Sequence, residues 1–153
     1  MEQEKHYRHE LKYVIPYAEY LAVRQRLRTM MSVDPHVSKS GLYQTRSAYF
    51  DNSDDKALRE KIDGIGKREK FRIRYYNDDF SFITLEKKIK DNNLCLKYDA
   101  VLTEKEFRKI MDGDIEFMKD HPEELVRELY AKMKYQRLRP RVLVSYIREL
   151  LSV

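Results

Sequence analysis

Hydrophobic and polar positions alternate in twos along several stretches of this chain. The clearest alternation runs from Lys67 to Lys90, KREKFRIRYYNDDFSFITLEKKIK. Lys70, Arg72 and Arg74 fall on one side of the first run, and Phe71, Ile73 and Tyr75 on the other. After the polar Asn77-Asp78-Asp79, Thr84, Glu86, Lys88 and Lys90 share one face while Ile83, Leu85, Lys87 and Ile89 share the other. Two period-two runs joined by a short polar turn predict a β-hairpin. Its polar face carries a row of cations with one carboxylate. Neighbouring like charges repel, so the row weakens the sheet unless an anion lies over it. The row therefore reads either as a solvated outer face or as a phosphate-binding sheet.

The same periodicities predict the remaining elements. Residues 5–15 alternate, with Arg8, Glu10 and Lys12 on one face, and predict a first strand that ends at Pro16. Leu21, Leu27 and Met30 recur near helical spacing over 17–31, with Arg24, Arg26 and Arg28 between them, which predicts an amphipathic helix. Residues 42–51, LYQTRSAYFD, are rich in strand formers. Asn52 or Ser53 caps a short helix reaching about Ile62. A turn at Asp91-Asn92-Asn93 leads to a strand LCLKYDAVL. Thr103 and Glu106 form a capping box ahead of Phe107, Ile110 and Met111, and Asp112-Gly113 ends that helix. Another helix starts near Pro122 and is halted at the latest by Pro140. Val142, Val144, Tyr146 and Arg148 then share one face of a last strand. The order β-α-β-α-β-β-β-α-α-β predicts one α+β domain over 1–153, with a mainly antiparallel sheet and helices packed outside it.

Composition changes this picture little. The 153 residues suit one core, and 31 Lys and Arg against 26 Asp and Glu leave a net charge of +5. That balance describes a mixed surface with local cationic clusters and an anionic partner. Cys95 stands alone, which excludes an intrachain disulfide and a cysteine-based metal site. The start MEQEKHYRHE has no apolar core, and no apolar run approaches the roughly 20 residues of a membrane helix, so a cytoplasmic protein with no membrane partner is expected. No glycine-rich phosphate loop and no HExxH is present; Gly64-Ile65-Gly66 reads as a turn. His6, His9, His36 and His121 are scattered.

The charged strand faces remain. Arg8, Glu10, Lys12, Lys70, Arg72, Arg74, Glu86, Lys88, Lys97 and Arg148 all occupy alternating positions on predicted strands. A strongly curved sheet would turn that face into the lining of a groove or barrel. Arg forks bind phosphate oxygens at two points and Lys adds point charge, so such a lining suits a polyanion. A few carboxylates among many cations suit a divalent metal held with substrate phosphates.

The segments YRHELKY at 7–13, TRSAYFD at 45–51, KFRIRYY at 70–76, LEKKIK at 85–90 and RPRVLVSYIRE at 139–149 resemble the VTC domain. This is the polyphosphate polymerase domain of the triphosphate tunnel metalloenzymes. The resemblance implies an eight-stranded antiparallel tunnel with a cationic lumen. It also implies transfer of the ATP γ-phosphate to a polyphosphate chain with Mn²⁺ or Mg²⁺. On it, Lys12, Arg72, Arg74 and Arg148 are expected at the reacting phosphates. Arg8, Arg46, Lys70, Lys88, Lys97 and Tyr146 are expected to bind substrate. Glu10 and Glu86 are expected to face a metal. The family continues into further strands, one with a metal-binding Glu, so the expectation here is an incomplete tunnel. Its apolar last strand, VLVSYIRELL, would leave an open edge that pairs with a second copy.

Three functions follow: a polyphosphate-polymerase-like phosphotransferase, a non-catalytic polyanion-binding module, and a nucleic-acid binder. The third is disfavoured, because the cations gather on one strand face instead of spreading over an outer stripe with exposed aromatics.

Overall fold

The computed structural model describes residues 11–33, 41–92 and 94–152. Helix α1 (Tyr17–Met30) is followed by β1 (Ser32–Val33), β2 (Leu42–Asp51), α2 (Lys56–Ile62), β3 (Lys67–Tyr76), β4 (Asp79–Asp91) and β5 (Leu94–Leu102). Then come α3 (Glu104–Asp112), a 3₁₀ turn over Glu116–Asp120, α4 (Glu124–Tyr135), β6 (Arg139–Glu149) and β7 (Leu151–Ser152). One antiparallel sheet has the order β5-β4-β3-β2-β6, and β1 pairs with β7 in a separate two-stranded ribbon. The protein is thus α+β, as the periodicities predict.

The hairpin forms where the sequence places it. Asn77 and Asp78 both take left-handed backbone angles, φ 52° and 55°, which short polar side chains tolerate and which match the twist of the flanking strands. Asn77 also fixes the neighbouring strand: its N–H donates to Gln44 O and its Oδ1 accepts from Gln44 N, each at 2.9 Å. The α3 start is the expected capping box, with Thr103 and Glu106 bonded reciprocally, and Gly113 at φ 85° closes the helix. Ahead of α2, Asn52 Oδ1 accepts from the N–H groups of Asp54 and Lys56, while Asp51 Oδ1 accepts from Ala57.

The alternation of the strands sorts the sheet into two faces. Phe71, Ile73, Tyr75, Ile83, Leu85, Ala100 and Leu102 form one core with Phe107, Ile110, Met118, Val126, Leu129 and Met133 from the helical layer. Lys87 lies on this helix-covered face, in ion pairs with Glu69 and with Glu128 of α4, and Lys132 of α4 pairs with Glu69. The opposite face carries the cations, and among the described residues α2 brings Lys61 to it.

The structure corrects two expectations and adds other details. Residues 11–15 are not a strand, and Val14 is fully exposed. Alternation specifies a strand only where a neighbour supplies ladder bonds, and no described strand pairs with this stretch. Helix α1 forms but buries none of its residues. Its hold on the sheet is polar: Arg24 Nε and Arg28 Nε donate to Glu149 at 2.7 and 2.8 Å, and Tyr20 donates to it at 3.3 Å. Helix α4 stops at Tyr135, well before Pro140, and the chain reverses through Arg137 at φ 57°. Pro140 lies inside β6, opposite Phe50, where the register shifts on an edge strand and the missing N–H breaks no ladder. Glu116–Asp120 and the β1–β7 ribbon escape sequence patterning because each is too short to show a period.

Candidate functional site: the cationic sheet face

Register determines which side chains meet on the cationic face. Arg72 stands between Tyr49 on β2 and Glu86 on β4, and Glu86 faces Asp99 on β5. One step along, Arg74 stands between Ser47 and Thr84. In the other direction Lys70, Lys88 and Lys97 lie in one row across β3, β4 and β5, and Arg68, Lys90 and Cys95 in the next.

Glu86 is the centre of one cluster. It is 3% exposed and pairs with Arg72 Nε, with Arg74 at 3.6 Å and with Lys97 Nζ at 3.2 Å. Each cation has a second partner. Arg72 donates to Tyr49 OH at 2.9 Å, Arg74 donates to Ser47 Oγ and Tyr146 OH at 3.2 Å, and Lys97 pairs with Asp99 at 2.9 Å. The network therefore crosses all five strands. Burial pushes the Glu86 carboxyl up, but the charges of Arg72, Arg74 and Lys97 outweigh it and hold the group below the ordinary carboxylate range.

Beside this cluster a cavity of about 780 Å³ opens. Leu11, Lys12, Tyr49, Lys61, Arg68, Lys70, Arg72, Lys88, Lys90 and Cys95 line it. Among the described residues no carboxylate comes within ion-pair distance of Lys61, Lys70 or Lys90. Burial, with the charges of Lys61 and Arg68 beside it, holds the Lys70 ammonium below the ordinary lysine range. Arg68 and Lys70 on β3 run beside Lys90 and Lys88 on β4, in two parallel files. Same-face residues on a strand are about 6.8 Å apart and neighbouring strands about 4.8 Å apart, so the four cations stand within a patch of about 5 by 7 Å.

The expected site residues divide accordingly. Lys12, Lys70, Arg72 and Lys88 meet around the cavity. Arg74, Lys97 and Tyr146 are on the same face but belong to the Glu86 network. Arg148 pairs across from Tyr43 and stacks its guanidinium 5.5 Å from the Tyr146 ring, outside the cavity lining. Arg46 shares the other face with Tyr75 and pairs with Asp78 at 2.6 Å. Arg8 and Glu10 lie outside the described residues. Lys61, Arg68, Tyr49 and Lys90 line the cavity without having been singled out. The strand parity of Arg68 and Lys90 was a readable signal; Lys61, on a short helix, gave none.

The chain matches the VTC domain over residues 7–152. It belongs to the VTC domain family. No curated protein matches it significantly. A solved structure of similar fold is that of a putative adenylate cyclase from Bacillus halodurans. It is 15% identical, with a TM-score of 0.66 over 99% of this chain and 70% of the other. Among the described residues of this VTC chain, no helix is long and apolar enough to cross a membrane.

A divalent metal, which the family resemblance implies, does not fit the described carboxylates. No three His, Cys, Asp or Glu side chains among them gather into a metal-binding group. Both Glu86 oxygens already face cations, and Asp99 faces Lys97. What the face offers is anion binding: desolvated guanidinium forks and ammonium groups held in fixed positions.

Proposed function

We propose that this VTC-family chain binds a linear phosphate polyanion, polyphosphate or a nucleoside triphosphate such as ATP, along the β3–β4 files of the cavity. The observation that carries this is the excess of cations there: Lys61, Lys70 and Lys90 line the cavity with no described carboxylate within ion-pair distance. The reading extends to transfer of the ATP γ-phosphate to a polyphosphate chain. In phosphoryl transfer the protein's work is positioning and charge neutralisation. Here Arg72 would grip the phosphate at the cavity's inner end, beside the Glu86 network, and Lys70, Lys88, Arg68 and Lys90 would hold the rest of the chain in line. A polyanion-binding module without turnover uses the same residues, and ATP turnover with added Mn²⁺ or Mg²⁺ separates the two.

The sheet's edge adds a second part. On β6, Val142, Leu143 and Ile147 are 57%, 59% and 72% exposed, on both faces of a strand with no described neighbour beyond it. Edges of this kind recruit another chain, and a second copy completes the sheet in this reading. An incomplete tunnel closed in this way remains part of the proposal, as does a cytoplasmic setting.

Calorimetry with tripolyphosphate at low salt tests the binding site. Binding that weakens as salt rises is expected, because the contacts are charge-based. No heat and no binding at millimolar tripolyphosphate overturns the reading. Single-stranded DNA that displaces tripolyphosphate at lower concentration than ATP does moves it to nucleic acid.

A further inference from the structure

The expected role of Glu86 is a metal ligand; its surroundings give it another. One carboxylate, almost fully buried, sits among Arg72, Arg74 and Lys97 with both oxygens occupied. Of those three cations only Arg72 also lines the cavity. Arg72 is thus where the internally neutralised network meets the cation-rich cavity. Its Nε is taken by Glu86 and one terminal nitrogen by Tyr49 OH, which fixes the plane of the guanidinium and directs its remaining N–H groups.

We propose that Glu86 is a positioning residue, an internal counter-anion that orients Arg72 and competes with the bound phosphate for its charge. This rests on the anion-site reading. A carboxylate in this place does two opposed things. It holds Arg72 in the geometry that a phosphate needs, and its negative charge lowers affinity for that phosphate. Tyr49 OH supplies a second anchor, and a Gln at position 86 still offers Nε an acceptor oxygen. Removing only the charge therefore leaves the orientation largely in place and removes the competition. A unit charge across the guanidinium, about 7 Å from the phosphate at an effective dielectric of about 40, changes affinity roughly tenfold. Glu86 thereby keeps binding at this end weak enough for the anion to exchange.

The test is Glu86→Gln, measured by calorimetry with tripolyphosphate, first in chelator and then with Mn²⁺. The expected result is about tenfold tighter binding in chelator, with the Mn²⁺ effect on affinity the same as in wild type. In an Arg72→Gln background the gain from Glu86→Gln should shrink to about twofold or less, since the effect passes through Arg72. Equal or weaker binding in chelator overturns the inference, and so does an undiminished gain without Arg72. Loss of the Mn²⁺ effect assigns Glu86 to the metal instead. If Glu86→Gln does not fold, Lys97→Met serves, because Lys97 pairs with Glu86 but lies outside the cavity lining. With one partner of Glu86 gone, its charge bears harder on Arg72, so metal-free binding should weaken several-fold with the Mn²⁺ effect unchanged. This loss should shrink to about twofold or less in an Arg72→Gln background; an equal loss there reflects only the missing Lys97 charge and overturns the inference. A Mn²⁺ effect that grows as Glu86 is released would overturn the inference. Wild-type protein that does not bind tripolyphosphate overturns the anion site and this inference with it, whereas binding without a gain in Glu86→Gln overturns only the role of Glu86.

Discussion

Replacing Lys70 with Gln should make the protein more stable and a worse binder. Lys70 stands directly opposite Lys88, which stands directly opposite Lys97, so three ammonium groups share one row across β3, β4 and β5. Side chains paired in this way lie about 5 Å apart at Cβ, and like charges there cost roughly 0.2–1 kcal/mol. Lys70 also feels Lys61 and Arg68, and its ammonium is held below the ordinary lysine range by burial and by those charges. Lys70→Gln removes the repulsion while keeping a polar side chain of similar length. A gain of about 0.5–1 kcal/mol is expected, which for a domain of this size is a melting temperature about 1–4 °C higher. The same change removes a charge-assisted contact to phosphate of about 1.5–3 kcal/mol, a loss of roughly 10- to 100-fold in tripolyphosphate affinity. Thermal melts at low and high salt, paired with calorimetry, read both effects. The stability gain should fade as salt rises, since screening already weakens the repulsion in wild type. A variant that melts lower than wild type at low salt, or that binds tripolyphosphate equally well, refutes the reasoning.

Three other outcomes are expected. Lys87→Met strips a buried cation from Glu69 and Glu128 on the helix-covered face; it should cost about 1–3 kcal/mol, and a melting temperature within 1 °C of wild type would contradict that. The depressed folded pKa of Glu86 means that its ionised form adds stability above the unfolded value of about 4.3, and that this stability is lost as pH falls through the folded value; melts from pH 7 to 3 should fall more steeply in wild type than in Glu86→Gln, and parallel curves would show otherwise. Light scattering after size exclusion at micromolar protein should give a dimer mass, and a clean monomer with a cooperative melt would show that the β6 edge needs no second chain.

How much of this was legible depended on which variable each feature obeys. Alternation is a property of one strand, so Lys70, Arg72, Arg74, Glu86 and Lys88 could be assigned to one face from the sequence alone. The turn at Asn77-Asp78 and the capping box at Thr103 are likewise local. The contacts of Glu86 are not: they follow from the register of β3 and β5 against β4, which no single segment encodes. The metal role expected of Glu86 came from the family resemblance, whereas its three cations came into view only with the strand pairing. Arg46 was ambiguous for a related reason, since TRSAYFD has polar residues at both parities and only pairing with Tyr75 settles its side. Residues 11–15 and α1 show the converse failure. Their periodicity is real, but periodicity only offers a face, and burial needs a described surface to receive it.

The face as a whole contains two populations of cations that the sequence writes identically. Arg72, Arg74 and Lys97 share one buried carboxylate and have second partners, so they stabilise the sheet with no ligand bound. Lys61, Lys70 and Lys90 have no described carboxylate within ion-pair distance, and burial together with the charges of Lys61 and Arg68 holds the Lys70 ammonium below the ordinary lysine range. On the other face Lys87 is paired with Glu69 and Glu128. The contrast between the two faces of one sheet is therefore the physical argument for a ligand. Among the described residues, the helix-covered face pairs Lys87 with two carboxylates, whereas on the other face Lys61, Lys70 and Lys90 have none within ion-pair distance. On the proposed reading, an anion bound there would relieve the repulsion between these neighbouring cations. With Arg72 added along β3, the row of cations lengthens to three same-face positions, and the proposal of a linear phosphate chain over a compact ion rests on that length.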